Sequence, residues 1–401
     1  MVVWKKIEDL GPYFGGLTGK TKEDFVDGNA KFITYMNVFA NASLDITSTG
    51  VVRISDGEKQ NKIQKGDILF TGSSETPDEA GMSCVVTEEL NEDYYMNSFC
   101  FGIRLNNPEQ YCLNYLKHIL RSSDVRKSIS KSASGVTRFN ISKARFGKIP
   151  IPIPSLEEQT RIVGILDTFT SAIDNLKEQI AQRRKQYEYY RDQLYYASKA
   201  DLLEAFRNGK AIVKSLDELG TFTRGRRFVR TDIVPEGVPC IHYGDMYTYY
   251  GVSAEETPTH LTKGLSSKLR FAKNGDVVIV AAGENDLDIG VGVAWLGKEP
   301  VVVHDACFIF EHKMNPKYLS HFMRSRNYHQ QIRMGVVDGK ICSISAKELG
   351  RALIAVPPLS EQQRIVSILD TFEASIQNLE AQLKERQKQY EYYRNKLLTF
   401  E

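Results

Sequence analysis

The sequence contains no apolar run long enough to cross a bilayer, and Met1–Leu10 carries no apolar leader, so a cytoplasmic protein with no membrane partner is expected. Its six cysteines (Cys84, Cys100, Cys112, Cys240, Cys307 and Cys342) are scattered and form no Cys-x-x-Cys. Buried reduced thiols are expected, and a disulfide framework or thiolate metal site is not. The seven histidines include the adjacent His304-Asp305, but no pair has ligand spacing, so no metal is expected. Net charge is also lacking, with 52 Lys and Arg against 50 Asp and Glu. A balance of +2 does not point to a polyanion partner, although it can conceal a basic face offset by acidic patches elsewhere.

Complete catalytic motifs are missing too. Gly16-Leu17-Thr18-Gly19-Lys20-Thr21 resembles a phosphate loop, but the required first glycine falls at Phe14. Asn315-Pro316-Lys317-Tyr318 approaches the Asn-Pro-Pro-Tyr of adenine methyltransferases, with Lys317 in place of the second proline. A helix start explains it better, with asparagine as cap and proline at the first helical position, and Asn107-Pro108 repeats it. Gly290-Val291-Gly292 lacks the glycine-rich continuation and acidic partner of a dinucleotide site. No catalytic residue and no cofactor in this chain are expected.

What the sequence does contain is a duplication. Pro154–Leu194 is written again, without gaps, as Pro357–Leu397, at a constant offset of 203, and 25 of the 41 positions are identical. Both copies open with Pro-x-Leu-x-Glu-Gln-x-Arg-Ile-Val and close with Lys-Gln-Tyr-Glu-Tyr-Tyr-Arg. In each, apolar residues recur at alternating steps of four and three. The first seam runs through Ile162, Leu166, Phe169, Ile173, Leu176, Ile180, Arg183, Tyr187, Tyr190 and Leu194. The second runs through Ile365, Leu369, Phe372, Ile376, Leu379, Leu383, Arg386, Tyr390, Tyr393 and Leu397. Sustained 3.5-residue spacing predicts two long helices able to supercoil, with Arg183 and Arg386 fixing register or orientation. Ser155 with Glu158, and Ser360 with Gln363, have capping-box spacing.

The repeat extends over the whole chain. Leu10-Gly11 answers Leu219-Gly220, Gly28 answers Gly237, Gly66-Asp67 answers Gly275-Asp276, Glu75 answers Glu284 and Gly81 answers Gly290, all at an offset of 209. Five segments follow: mixed domains over 1–153 and 214–356, long helices over 154–197 and 357–401, and a short ordered joint over 198–213. The joint carries Leu202, Leu203 and Phe206 at helical spacing, with Gly209 as its cap. Proline-rich Ile151–Pro154 and Val356–Pro358 make stiff leads into the helices. The fold class is α+β: two mixed α/β domains separated by two long helices, which pair antiparallel if the halves obey a pseudo-two-fold. Ile162 to Leu194 then spans roughly 50 Å, or roughly 15 base pairs of duplex.

Candidate nucleic-acid contacts lie in loops at matching places. Thr221–Arg230 interleaves Arg224, Arg226, Arg227 and Arg230 with glycine and aromatics, and Gly15–Lys22, with Lys20 and Lys22, is its counterpart. Arginine forks suit phosphates and guanine edges. The polar loops after the paired Gly-Asp strands, with Ser73 and Glu75 in one and Glu284 and Asn285 in the other, differ sharply between copies, as reading loops on a shared scaffold should. Two glycine turns, one with Thr137 and Arg138 and the other with Lys340, suit backbone phosphate contacts. The aromatic stretch Tyr243–Tyr250 suits stacking or core packing.

Paired domain-then-helix halves, with Pro154-Ser155-Leu156-Glu157-Glu158-Gln159-Thr160-Arg161-Ile162-Val163 and its copy Pro358-Leu359-Ser360-Glu361-Gln362-Gln363-Arg364-Ile365-Val366, resemble the specificity subunits of type I restriction-modification systems. The resemblance covers essentially the whole chain. It implies two target recognition domains, each reading half of a bipartite double-stranded DNA sequence, and an antiparallel helical spacer that sets their separation. It also implies docking of two methyltransferase subunits, which bring S-adenosylmethionine, and of ATP-dependent restriction subunits. The chain itself would be non-catalytic. Two alternatives remain: the specificity subunit of a related methylation-only or other multisubunit DNA modification system, or a coiled-coil assembly protein with no DNA role.

Overall fold

The computed structural model describes residues 2–400 of the 401. It divides into two compact units. One comprises residues 1–177 with 382–401, and the other residues 178–381. No helix among the described residues is long and apolar enough to cross a membrane.

In the first unit, Tyr13–Gly15, Cys100–Ile103, Ile68–Thr71 and Ser83–Val85 form a four-stranded antiparallel sheet in that order. Ile68, Leu69 and Phe70 at its centre are fully buried, as an apolar run flanked by strands on both sides requires. A smaller sheet joins Thr49–Val52, Ala30–Ile33 and Tyr94–Met96, and its last pair is parallel. The Gly66-Asp67 landmark is the turn into the central strand. Gly66 takes φ +90°, and the buried Asp67 carboxylate accepts two hydrogen bonds from Arg104, at 2.9 and 2.8 Å.

The second unit repeats this plan with longer sheets. Gly220–Arg224, Cys307–His312, Val277–Val280, Gly292–Trp295 and Ser253–Ala254 make one. Ile233–Val234, Thr259–Leu261, Val238–Ile241, Val301–Val303 and Phe271–Ala272 make the other, which again holds a parallel pair, Val238–Ile241 with Val301–Val303. Val277–Val280 is buried throughout, and Gly275 repeats the positive φ of Gly66 at +95°.

Each domain closes by pairing its first and last strands antiparallel: Val3–Lys6 with Pro150–Ile153, and Val213–Ser215 with Leu353–Ala355. The proline-rich lead Pro150–Ile153 is therefore a strand of a two-stranded ribbon, where a missing N–H is tolerated. The long helices Leu156–Leu194 and Leu359–Leu398 follow. In the first unit Phe169 stacks on Tyr393 at 5.2 Å between centroids, and the Arg386 guanidinium lies 5.8 Å from the Phe169 ring. The second unit mirrors this, with Tyr190 on Phe372 at 5.4 Å and Arg183 over Phe372 at 5.9 Å. Within each unit the start of one long helix thus meets the end of the other, which is antiparallel pairing. Among the other seam residues, Ile173 and Ile180 are buried, whereas Leu176, Tyr187, Ile376, Leu379, Leu383 and Tyr390 are half-buried. The seam arginines pack on aromatic faces of the opposing helix, a cation–π arrangement that tolerates charge in an apolar stripe.

Three details depart from the sequence reading. Glu158 N–H donates to Ser155 Oγ at 3.4 Å, but the Glu158 carboxylate turns to Arg161, at 2.7 Å on both oxygens, so the capping box is only half made. In the second helix Pro358 occupies the place of Ser155, the helix begins at Leu359, and Ser360 lies inside it rather than capping it. Pro358 stands just before the first turn, where a missing N–H costs the helix no hydrogen bond. Finally, Asn315 caps its helix through Tyr318 N–H at 3.1 Å, whereas Asn107 makes no side-chain cap. The joint forms as a helix over Lys199–Arg207, capped by Ser198 and closed by Gly209 at φ +68°.

Candidate nucleic-acid interface

The domains are fixed to the helices by buried polar networks that recur in both units. Gln159 accepts from Cys112 N–H at 2.8 Å and donates to the Pro154 carbonyl at 2.8 Å; Gln362 does the same with Asn315 N–H (2.9 Å) and Pro357 (2.8 Å). His118 bridges the Asp167 carboxylate at 2.8 Å and the Tyr390 hydroxyl at 3.0 Å, and His321 bridges Asp370 at 3.4 Å and Tyr187 at 3.0 Å. Burial lowers the pKa of both imidazoles and outweighs the carboxylate beside each. At His118 a neutral ring fits the geometry, since it can donate to the aspartate and accept from the tyrosine. Sequence reading named Tyr187 and Tyr390 only as seam positions and missed the histidines and aspartates, although the offset of 203 relates all three pairs.

His321, Asp370 and Glu373 also place ligand atoms within 4.8 Å of one another, a grouping with cation-binding geometry. The Lys317 ammonium already lies 2.6 Å from Asp370, and the Tyr187 hydroxyl donates to Glu373 at 3.2 Å. Thr170 stands where the first unit would need the glutamate. The cluster therefore reads as a hydrogen-bonded junction. Nearby, buried arginines act as carbonyl clamps: Arg121 binds the carbonyls of Val38, Phe39, Asn41 and Ser83, and Arg324 those of Gly251 and Gly292.

With the frame held, the loops named from sequence fall onto one rim per domain. In the first, Ser73–Ser74 pairs with Phe139–Ile141, which folds back on Ala133–Ser134, so the polar loop and the glycine turn are neighbours. Glu75, Thr137 and Arg138 are exposed there, and Glu75 and Arg138 share a shallow cleft with Met36 and Phe39. Arg138 lies 5.6 Å from the ring of Phe99, which is 57% exposed. Ser73 is buried and its carbonyl accepts from Tyr35 at 2.8 Å, so it supports the rim rather than facing outward. In the second domain Ala282–Gly283 pairs with Cys342–Ser343. This sets Glu284 and Asn285 beside the turn bearing the exposed Lys340. The Asn285 carbonyl oxygen accepts Leu287 N–H at 3.0 Å, which makes that side chain a turn cap.

The opening loops are stitched to strand ends, Leu17 N–H donating to the Met96 carbonyl at 2.7 Å and Arg226 N–H to the Val303 carbonyl at 3.0 Å. Arg226, Arg227 and Arg230 are exposed. Arg224 is tethered, donating through Nε to the Asp305 carbonyl at 2.8 Å and lying over Phe308 at 6.0 Å. Lys22 is exposed. Lys20 is corrected: its side chain is only 8% exposed, with Nζ 2.6 Å from both Glu58 and the Arg53 carbonyl. That ammonium, first among several hydrogen bonds, holds the Glu58 carboxyl down at about 2. An inward-turned, neutralised lysine offers little to a phosphate. The partner acid lies 38 residues away, so sequence spacing gave no sign of the pair. Within Tyr243–Tyr250, Met246 and Tyr250 are buried, whereas Tyr249 is 58% exposed.

Several known proteins are similar to this chain in sequence or in fold. The specificity subunit of the Escherichia coli type I restriction enzyme EcoR124I/EcoR124II is 32% identical over 266 residues, which is 63% of this chain and 63% of that relative. A putative type I restriction enzyme specificity subunit of Haemophilus influenzae is 28% identical over 320 residues, 74% of each chain. Among solved structures, the type I restriction-modification S subunit from M. genitalium aligns over 100% of this chain and 97% of that one at a TM-score of 0.53 and 15% identity. A chain from a study of complex assembly and conformational transition in the type I R-M system superposes at a TM-score of 0.62 with 16% identity, over 99% of this chain and 97% of that one. The family model of the type I restriction modification DNA specificity domain matches residues 1–183 and again 208–388, and this chain, which carries that domain twice, belongs to the family.

Proposed function

We propose that this chain is the DNA-reading subunit of a type I restriction-modification assembly, with each domain reading one half of a bipartite double-stranded target. In this reading the long helices set the half-site separation and dock two methyltransferase subunits. Those partners bring S-adenosylmethionine and the methyl-transfer chemistry, restriction subunits bring ATP-dependent cleavage, and this cytoplasmic chain brings no catalytic group. One observation carries the proposal: the two units share the same glutamine and Tyr–His–Asp anchors, yet differ in the side chains on their loop rims. Shared anchoring with divergent rims is what two modules need if they address different sequences from one scaffold.

Exposed Arg226, Arg227 and Arg230 supply the sequence-independent part of binding by displacing counterions from phosphates. Replacing Arg226 or Arg227 by alanine should weaken binding of the assembled complex to all duplexes by a similar factor. It should also reduce the slope of log affinity against log salt by about one. Titration of target and scrambled duplexes over a salt series checks this. Unchanged slopes for both variants would remove the loop from the interface.

A further inference from the structure

The two domains match at the ends of their parallel strand pairs, and the side chains there are different. Ile33 pairs with Met96, and Ile241 with Val303. The next residues, Thr34 and Asn97 in one domain and His242 and His304 in the other, leave the sheet together. The backbone around them is the same in detail. Asn97 N–H donates to Ile33 and His304 N–H to Ile241, at 3.0 and 3.3 Å; Asn97 and His304 accept from Cys100 and Cys307, both at 3.0 Å. The opening loops are stitched to the same point, Leu17 N–H to Met96 at 2.7 Å and Arg226 N–H to Val303 at 3.0 Å. A Cβ on Gly16 would stand 2.1 Å from the Asn97 carbonyl oxygen, and one on Gly225 2.2 Å from that of His304. Glycine is required at both places, because the loop lies directly on the strand-end carbonyl.

On this common backbone each domain carries a polar side chain that is half satisfied. Asn97 Oδ1 accepts Phe99 N–H at 2.9 Å, leaving Nδ2 with no partner among the described residues. His242 Nδ1 accepts Gly244 N–H at 3.2 Å, which puts the ring proton on Nε2, also without a partner among the described residues. Positive charge and aromatic surface lie beside both. Asn97 takes its hydrogen bond from exposed Phe99, over whose ring Arg138 lies at 5.6 Å, and His242 packs against Tyr243 at 4.5 Å, His304 at 5.3 Å and Phe228, next in sequence to Arg227, at 6.2 Å. Local backbone bonds hold one atom of each side chain and orient the other, which is how a hydrogen-bonding group is pre-organised for a base edge.

We infer that Asn97 and His242 are specificity-determining residues, Asn97 recognising an adenine edge in the half-site of the first domain and His242 donating to a purine N7 or guanine O6 in that of the second. The chemistry follows from the groups on offer. The Asn97 amide presents Nδ2–H to adenine N7 and the second lone pair of Oδ1, beside the one taken by Phe99 N–H, to adenine N6 in the major groove, whereas an Nε2–H presents a single donor. The inference rests on the DNA-reading proposal above, and its test separates the two.

The test uses the full chain in complex with its methyltransferase subunits, with methylated sites mapped by sequencing for wild type, Asn97→Asp and His242→Asn. Asn97→Asp keeps the acceptor for Phe99 N–H and removes the donors, and His242→Asn keeps a short acceptor for Gly244 N–H. Asn97→Asp should relax or change one base position in a single half-site, with a roughly 5- to 150-fold loss of discrimination there, while the other half-site stays intact. His242→Asn should do the same in the opposite half. Asn97→Ser and thermal melting of all variants guard against misfolding, since the expected change in preference occurs at unchanged melting temperature. A wild-type motif retained by every variant would overturn this assignment alone. An equal loss at all positions, or a lowered melting temperature without altered preference in Asn97→Asp and Asn97→Ser alike, would make these residues backbone supports and overturn it too. Absence of a two-part motif for the wild type would overturn the DNA-reading proposal itself.

Discussion

Adding one heptad to each long helix, after Ile180 and after Leu383, should move the preferred half-site separation or abolish binding, and should not leave the original preference intact. The insertion preserves the 3.5-residue seam and lengthens the helices by about 10 Å. The stacked pairs Phe169–Tyr393 and Tyr190–Phe372 lie on either side of the insertion points, so aromatic contacts in both units are kept. Ten ångströms is about three base pairs, and three base pairs turn the second half-site about the duplex by roughly 100°. A stiff helical pair follows such a rotation poorly, so weak binding to a longer site or none is expected. Site mapping of the lengthened chain in its complex decides it; full activity on the original spacing would mean that the helices are not the ruler.

The second large effect is on stability in acid, and it should fall unequally on the two units. Burial is the leading cause that lowers the pKa of five histidines: His118 in the first unit, and His304, His312, His321 and His329 in the second. His312 is lowered to about 4. A histidine whose folded pKa lies below its unfolded value of about 6.5 binds protons more readily in the unfolded chain. The associated stability is therefore complete above about pH 6.5 and is lost as pH falls towards the folded value, at up to about 1.4 kcal/mol per pH unit for each ring. Asp167 and Asp370 feel burial first, but hydrogen bonds from histidine and lysine bring both below their ordinary value, so their losses come at lower pH. Asp276 and Asp288, both in the second unit and raised by burial above the ordinary carboxylate value, act in the opposite direction. Between pH 6.5 and 5 the second unit should lose more stability than the first and open first, with His312 alone accounting for about 2 kcal/mol. Hydrogen exchange at pH 7, 6 and 5 measures it, and His312→Asn should lessen the effect. Equal acid sensitivity of both units would contradict the assignment of these histidines.

How much of this was legible in the sequence depended on the distance over which each feature is written. The long helices were plain because their seam is local, periodic and copied almost unchanged, and Phe169, Arg183, Tyr190 and their counterparts meet as the spacing implied. Gly66, Gly81, Gly275 and Gly290, picked out only as landmarks, prove to be positive-φ turns at 90°, 66°, 95° and 87°. Features held by distant partners were not legible. Lys20 looked like a free cation until Glu58 closed on it, and Asp67 gave no sign of Arg104. The strand-end residues Asn97 and His242 were passed over for a different reason. Their importance lies in a backbone common to both domains, and that correspondence runs at offsets of 207 and 208, off the register of the landmark glycines.

Exchange of one domain tests the central claim most directly. Met1–Pro152 is replaced by the corresponding domain of a relative with a different target, the chimaera is assembled with its methyltransferase subunits, and every methylated site is mapped by sequencing. Because each domain closes on its own strand pair and carries its own rim, one half of the recognised sequence should change while the other half and the gap between them stay fixed. A change in both halves, or a motif that cannot be divided into two parts, would contradict independent reading by two domains.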